Sequence, residues 1–346
     1  MKFGPVIAFL LGAAGLAAVV VYAGLSPIAQ ALLQVGPVGL AIVSALHLPV
    51  IAILGFAWWL VGDDMPGCAL WKFVWARLMR ESVAEVLPFS QLGGIAIGAR
   101  TLTVLGLPAV PAGVSLLTDL IVELSAKLPY VLAGGALLLF VTPGSGILLP
   151  VVLCTGLTLA MVIAGVALRH PLLSAVHRVT AGLASRWPGL GSIPADDLQR
   201  RLDYALTPSW HLLRACGVHT FCWALGAAET WVIFHLMGAP VSALEAFLID
   251  SMFSGLRTVG FAIPGAVGLQ EGGYVLVCSL FGIAPGTAVA LALIRRAREF
   301  VSGIPALAVW QMVESRRART RRIMNIPGAQ TTADTALPSP QPYQPE

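Results

Sequence analysis

The sequence predicts an all-α integral membrane protein, with about six full transmembrane helices and two re-entrant helical hairpins that form an inverted repeat. Three observations predict this class. Hydrophobic residues make up 57% of the 346-residue chain and charged residues only 11%, with a mean hydropathy of +0.85. Six long stretches are predominantly apolar, and two further segments are broken at proline. Because a soluble domain carries about 25% charged residues, a chain this apolar requires lipid as its solvent.

The six apolar stretches are long enough to span a bilayer as helices. A spanning helix needs about 20 predominantly apolar residues, whereas a membrane strand alternates over about ten. Continuous runs rich in leucine and alanine therefore favour helices. They cover residues 3–25, 37–61, 111–141, 147–168, 210–237 and 286–313. The first run follows a single lysine and lacks a small-x-small cleavage site, so we expect a retained helix rather than a signal peptide.

The distribution of lysine and arginine predicts the orientation, because these residues concentrate in cytoplasmic connections. They cluster at Lys72, Arg77 and Arg80, in residues 169–207, and in residues 316–322. The opposing connections carry neither, namely residues 26–36, 142–146 and 238–242. We therefore predict a multi-pass protein of a bacterial inner membrane with both termini in the cytoplasm.

We expect two units along the chain: a membrane domain over residues 1–325 and a disordered cytoplasmic tail over residues 326–346, which is rich in proline, threonine and glutamine. The five cysteines form no C-x-x-C pair, and the six histidines complete no zinc spacing. No nucleotide-binding glycine loop or protease signature is present. We therefore predict no cofactor, no metal, no nucleic-acid partner and no enzymatic activity.

The two broken segments read as re-entrant hairpins. Residues 69–107 begin and end near the predicted cytoplasmic side and are broken at Pro88, whereas residues 243–284 begin and end on the periplasmic side and are broken at Pro264–Gly265. Irregular backbone survives at membrane depth only where it is buried in protein or lines a cavity. We therefore expect both hairpins to lie inside the bundle.

The hairpins also look like copies of each other. One shift of 176 residues relates four pairs of residues, which are Pro88 and Pro264, Gly106 and Gly282, Glu123 and Glu299, and Pro129 and Pro305. Since the two hairpins are expected to enter from opposite sides, the copies form an inverted-topology repeat, the ground plan of many alternating-access transporters. The same shift pairs Asp119 with Arg295, so we predict that these opposite charges bridge the two halves.

Many charged residues lie within the apolar stretches. Each costs about 2.5–3.5 kcal/mol at the bilayer centre, so these residues must pair or line a hydrated cleft. Asp119, Glu123 and Lys127 form one stripe along a helix, because they are spaced by four residues. For Asp119, Lys127 and Arg295, ion pairs that only hold helices together are as good an explanation as function is.

The hairpin breaks suggest anion binding. A helix that begins inside the membrane presents free N–H groups and a positive dipole end. Arg100 and Arg257 would add full positive charge near the two breaks, and arginine holds phosphate in bidentate fashion. We predict that Arg257, Glu271 and the helix end after Pro264–Gly265 share one small volume that suits a zwitterionic or phosphate-bearing head group.

Three strings carry a family resemblance. LPFSQLGGIAIGAR (residues 87–100), PGAVGLQEGG (264–273) and LIRRARE (293–299) resemble the flippase-like transmembrane region of the lysylphosphatidylglycerol synthase family, and within it the hopanoid-biosynthesis-associated proteins of HpnL type. The resemblance covers nearly the whole chain except the tail. It implies a lipid-translocating membrane domain without the soluble aminoacyl-transferase domain. Many relatives place an acidic residue where this chain has Ile95, so a mechanism with one carboxylate in each hairpin is not expected.

These considerations predict a flippase-like transporter that moves an amphipathic lipid with a polar or anionic head group between leaflets, a hopanoid-linked lipid being one candidate. The alternative is a non-transporting accessory protein that scaffolds lipid-modifying enzymes. Membrane lipid and lipid-biosynthesis enzymes are the expected partners, and the oligomeric state is left open. The candidate substrate-binding residues are Pro88, Gly93, Gly94, Arg100, Asp119, Glu123, Arg257, Pro264, Gly265, Gly268, Glu271, Arg295 and Glu299.

Overall fold

The computed structural model describes residues 4–62, 65–86, 91–141, 145–171, 174, 195–258 and 268–324. Within these ranges every regular element is a helix. The helices are α1 (Gly4–Ala23), α2 (Leu25–Leu60), α3 (Leu70–Val86), α4 (Gln91–Val104), α5 (Ala109–Val141), α6 (Ser145–Ala167), α7 (Ala195–Ala205), α8 (Trp210–Leu236), α9 (Ala243–Arg257), α10 (Leu269–Ser279) and α11 (Pro285–Met324). The boundary predicted at residue 325 and the tail beyond it lie outside the described residues.

Within the described ranges, three helices are long and apolar enough to cross a membrane: α2, α5 and the part of α6 over Leu148–Ala167. Helices α8 and α11 form where spans were predicted and contain 27 and 40 residues, but both carry charged side chains. The long helices also expose large apolar side chains. Phe140 is 84% exposed and Leu149 is 64% exposed. Soluble proteins rarely present such continuous apolar surface, so the chain is an all-helical integral membrane protein.

The start of α2 corrects one expected connection. Residues 26–36 were predicted to link the first two spans, but α2 begins at Leu25 and continues to Leu60. The helix is kinked at Gly36, whose φ of 56° lies in the left-handed region. Glycine adopts this conformation without steric cost, and Pro37 then begins the second part of α2. The chain between the predicted spans is apolar enough to form a helix of its own.

Each predicted hairpin is a pair of short helices. Helices α3 and α4 flank residues 87–90, and α9 and α10 flank residues 259–267. With 11 to 17 residues each, they are about 16–26 Å long, which is shorter than the hydrocarbon core of about 30 Å. Pro88, Pro264 and Gly265 lie outside the described residues. Gly94 lets α4 approach α3, because a Cβ there would lie 2.6 Å from the carbonyl oxygen of Arg80.

Helix ends recur at the shift of 176 residues. Helix α2 ends at Leu60 and α8 ends at Leu236, while α5 begins at Ala109 and α11 begins at Pro285. The packing also follows a two-fold relation, because α5 packs against α8 and α9 while α11 packs against the equivalent α2 and α3. The second part of α2 with α3–α5, and α8–α11, are therefore two structurally matched copies that interlock. We refer to them as the first and second copy.

The turn before each long helix has the same backbone structure in both copies. The backbone N–H of Leu107 donates to Leu102 at 3.1 Å, and the equivalent N–H of Ile283 donates to Cys278 at 3.2 Å. Between them stand the equivalent glycines, Gly106 with φ 91° and Gly282 with φ 69°. The turn requires a left-handed backbone at this position, which glycine adopts without steric cost. Both copies therefore have glycine there.

Candidate functional site

A charged cavity of about 160 Å³ lies among the long helices and the hairpins. This volume corresponds to roughly five water molecules, at about 30 Å³ each. Helices α2, α3, α5, α8, α9 and α11 contribute to its wall. The charged lining residues are Arg77, Glu81, Glu85, Glu123, Lys127, Glu229, Asp250, Arg257, Arg295, Arg298 and Glu299. Five cations thus meet six carboxylates in one cavity of the bundle.

The first copy contributes an ion network between α3 and α5. Both terminal nitrogens of Arg77 donate to the carboxylate of Glu123, at 2.9 and 2.7 Å, and Arg77 also contacts Asp119 at 3.3 Å. Arg80 donates to Asp119 at 3.0 Å and to Glu123 at 2.7 Å. Nε2 of His219, on α8, lies 3.0 Å from Asp119. Arg77 also contacts Glu81 at 2.9 Å, so two arginines and three carboxylates of this copy form one network.

The second copy contributes a network around Asp250 on α9. Arg295 of α11 donates to Asp250 at 2.7 Å. The hydroxyls of Tyr130 and Thr230 donate to the same carboxylate at 2.9 and 3.0 Å. Arg295 also donates to the hydroxyl of Tyr274. Asp250 thus accepts from three donors, one of which is a cation, as burial of a carboxylate requires.

A further pair closes the second copy. Arg298 of α11 donates to Glu229 of α8, and Glu229 is also 3.2 Å from Nδ1 of His47. Glu299 contacts Arg298 at 3.3 Å. Glu229 is only 5% exposed and forms part of the cavity wall.

The two hairpins meet at a single ion pair on the cavity wall. Arg257, at the end of α9, donates to Glu85 of α3 at 2.7 Å. The side chains are 32% and 20% exposed, more than those of the ion pairs at Asp119 and Asp250. This pair joins the two copies at the cavity and is more exposed to solvent than the ion pairs at Asp119 and Asp250. Because solvated ion pairs contribute little free energy, a rearrangement would break this pair at a lower free-energy cost than those two.

The predicted bridge between Asp119 and Arg295 is wrong. Asp119 pairs with Arg77 and Arg80, and Arg295 pairs with Asp250. The opposite charges of Asp119 and Arg295, which the shift of 176 residues relates, therefore do not indicate a bridge between the copies. The long helix of the first copy supplies carboxylates to arginines, whereas the long helix of the second copy supplies arginines to carboxylates. Asp119 and Arg295 are thus each neutralised by partners from their own copy.

Glu271 does not share a volume with Arg257 in the way predicted. Its carboxylate accepts from the backbone N–H of Gly268 at 2.9 Å and from Arg296 at 2.9 Å. Glu271 is fully buried and does not line the cavity. It therefore caps the start of α10, and the helix end that was expected to bind an anion has a carboxylate of its own chain. Gly268, with φ 79°, permits the turn into this cap.

The remaining predicted residues lie apart from the cavity or serve packing. Arg100 on α4 pairs with Glu314 of α11 at 2.8 Å, away from the cavity wall. Gly93 stands in the first turn of α4, and Gly94 is a close contact between helices. Glu123 and Glu299 line the cavity as expected of candidate site residues. Among the described residues, no group of three histidine, cysteine or acidic side chains is arranged to hold a metal ion.

Sequence reasoning misassigned the arginines of α3. Arg77 and Arg80 were counted as signals of a cytoplasmic connection, yet they are 1% and 8% exposed. Their spacing held the missing signal, since Arg77, Glu81 and Glu85 repeat every four residues and so form one stripe. The stripe on α5 has the same spacing, and the two stripes pair across the cavity wall.

The helical membrane fold and its charged interior define the class of protein. The chain is a polytopic membrane protein whose long apolar helices contain buried ion networks and a polar cavity. A family model described as the lysylphosphatidylglycerol synthase TM region matches residues 6–306. The chain belongs to this family. Neither a curated protein nor a solved structure matches it.

Proposed function

We propose that this protein is a lipid flippase-like transporter, which moves an amphipathic lipid with a polar or anionic head group between the leaflets of the membrane. The observation that carries the proposal is the charged cavity between two interlocked copies. A head group cannot cross about 30 Å of hydrocarbon without polar partners, because each charge costs several kcal/mol there. The cavity supplies such partners at a place that both copies share.

The repeat supports alternating access. If both hairpins return to the side from which they enter, three spans separate the start of the first copy from the start of the second, namely the second part of α2, α5 and α6. An odd number of spans inverts the second copy. Six spans with two re-entrant hairpins, and an inverted repeat, are therefore the topology that we propose.

The orientation that we propose places both termini in the cytoplasm of a bacterial inner membrane. Arg77 and Arg80 no longer support it, because they are buried. The basic residues of 169–207 and of 316–322 still do, because both segments follow long helices on the same predicted side.

The Arg257–Glu85 pair is the contact that we propose to open during transport. It joins α9 to α3, one helix from each hairpin, and forms part of the cavity wall. Because this pair is more solvated than the ion pairs at Asp119 and Asp250, we infer that the hairpins move against the long helices. Opening of this pair on one side would enlarge the cavity enough to admit a head group.

The substrate class follows from the lining and from the family. The cavity offers both signs of charge, which suits a zwitterionic or anionic head group more than an uncharged one. The resemblance to hopanoid-associated relatives makes a hopanoid-linked lipid one candidate. Lipid-biosynthesis enzymes are the natural partners of such a transporter, and no chemical step on the lipid is part of the proposal.

A second candidate function is a non-transporting accessory protein that scaffolds lipid-modifying enzymes. One observation favours it: the four arginines of the cavity wall all contact carboxylates within 3.3 Å, as in a bundle held together by ion pairs. The cavity volume and the solvated hairpin contact favour transport instead, because neither is needed to hold a static bundle.

Reconstituted vesicles test the proposal. Fluorescent phosphatidylglycerol is placed in both leaflets, and dithionite added outside quenches the label in the outer leaflet. Without transport about one half of the fluorescence is lost. A transporter brings the lipid of the inner leaflet out, so that the quenched fraction approaches completion. We expect wild-type protein to do so, and Arg257→Gln and Glu85→Gln to fall at least tenfold in rate. Arg100→Gln is the matched control, because its ion pair has similar geometry but lies off the cavity. Wild-type protein that leaves half of the lipid protected would favour the scaffold.

A further inference from the structure

The cavity wall contains one cation of a different kind from the rest. The chain has three lysines among its 21 basic residues, and Lys127 is the lysine that lines the cavity. It stands on α5, one turn beyond Glu123 and on the same stripe. The other four permanently charged cations of the cavity wall are arginines, and Lys127 is an ammonium.

The arginines of the wall are already neutralised. Arg77 holds Glu123, Arg257 holds Glu85, and Arg295 holds Asp250, each at 2.7 Å. An incoming anion would have to displace a carboxylate from any of them, which costs the full penalty of leaving that carboxylate buried and unpaired. Since six carboxylates outnumber five cations in the wall, an anion gains nothing from the net charge of the cavity and needs one particular cation as its partner. Only a cation without a carboxylate can hold one.

Lys127 meets this condition within the part of the chain that the structure describes. Its ammonium has no hydrogen bond or ion pair to another described residue, and it lies 4.5 Å from the ring centroid of Trp223. Trp223 is held in turn by Tyr130, with ring centroids 6.3 Å apart. A cation–π contact gives about 0.5–2 kcal/mol, less than the several kcal/mol that desolvation of an ammonium costs. The site therefore needs an anion or water to complete it.

We propose that Lys127 is the anion-binding residue of the cavity, and that the anion is a phosphate group of the transported head group. This inference rests on the proposed function and names its substrate class. Lysine binds phosphate as a point charge with three N–H donors, without the bidentate geometry that arginine requires. An ammonium that rests on an aromatic ring can release one phosphate and accept the next without breaking an ion network.

Binding and transport are measured separately. Detergent-purified protein is titrated with sn-glycerol 3-phosphate and with inorganic phosphate by tryptophan fluorescence, and with phosphatidylglycerol in nanodiscs. We expect saturable binding that weakens at least tenfold in Lys127→Gln and Lys127→Met, and less in Lys127→Arg. Binding of glycerol phosphate and phosphatidylglycerol but not of inorganic phosphate identifies the head group as the source. Equal affinities for both soluble probes identify free phosphate and overturn the lipid assignment.

Lys72→Gln is the matched control. Lys72 also lies over a tryptophan, 6.0 Å from the Trp71 ring, but it donates to the carbonyl of Gly67 outside the cavity. We expect its affinity to stay within twofold of wild type. Unchanged binding by folded Lys127→Gln or Lys127→Met, or no saturable binding by wild type, overturns the inference even if lipid is translocated. Binding that depends on Lys127 in a protein that translocates no lipid sustains the inference and refutes the transport proposal.

Discussion

In the first copy the long helix α5 supplies carboxylates to arginines of α3, whereas in the second copy the long helix α11 supplies arginines to carboxylates of α8, α9 and α10. The sequence positions are equivalent, and the signs are opposite. The comparison shows that the copies have kept the geometry of a buried ion network while exchanging the side that carries each charge. The arginine pairs of Asp119 and Asp250 lie within one copy each, whereas the pairs Glu85–Arg257 and His47–Glu229 join the two copies at the cavity.

The largest effect is expected from a charge exchange between the copies. Asp119→Arg combined with Arg295→Asp would put a third arginine beside Arg77 and Arg80 and a second carboxylate beside Asp250. Like charges at that distance in a buried site cannot be compensated. We expect no monodisperse protein by fluorescence-detected size-exclusion chromatography. Recovery of folded yield by the double exchange, relative to either single variant, would mean that Asp119 and Arg295 face each other after all.

A smaller loss is expected when a network is opened from one side. Arg295→Gln leaves Asp250 buried without its cation, which costs about 3–5 kcal/mol. Removal of both charges in Asp250→Asn with Arg295→Gln should recover at least half of that loss, because no unpaired charge remains. Thermal unfolding in detergent measures both. Equal destabilisation of the single and the double variant would argue that the pair contributes through shape rather than through charge.

The smallest effect concerns the matched turns. Gly106 and Gly282 have positive φ, and a Cβ would meet nothing within 4 Å at either site. Gly106→Ala and Gly282→Ala should each cost about 1 kcal/mol, from backbone strain alone. The two shifts in unfolding temperature should agree closely. A loss confined to one glycine would weaken the view that the two turns are structural equivalents.

The sequence predicted the helices well, because apolar runs end where the membrane ends. Helices α5 and α8 begin within two residues of the predicted stretches. It failed at the first part of α2, where a chain of apolar residues with glycine and proline was taken for a connection. The kink at Gly36 divides a helix that composition alone could not distinguish from two spans.

The site was predicted less well than the fold, since ion pairing depends on which helix faces which. The stripe of Asp119, Glu123 and Lys127 was recognised, but its partners Arg77 and Arg80 were counted as solvent-exposed charge. A count of lysine and arginine along the sequence does not distinguish buried side chains from exposed ones. Glu271 was assigned to binding because it follows a helix break, yet that same position is where a carboxylate caps the helix. A cap and a ligand site share one sequence signature.

The central claim is that head groups pass through the cavity when the hairpins part at Glu85 and Arg257. In a variant that lacks the five native cysteines, Glu85→Cys and Arg257→Cys can be joined by a short bis-methanethiosulfonate linker inside the reconstituted vesicle. The account predicts that lipid translocation continues in the unlinked protein at a measurable residual rate, stops on linkage and returns on reduction. Each single-cysteine variant treated with the linker should be unaffected. Translocation by the fully linked protein at the rate of the reduced protein would contradict the account.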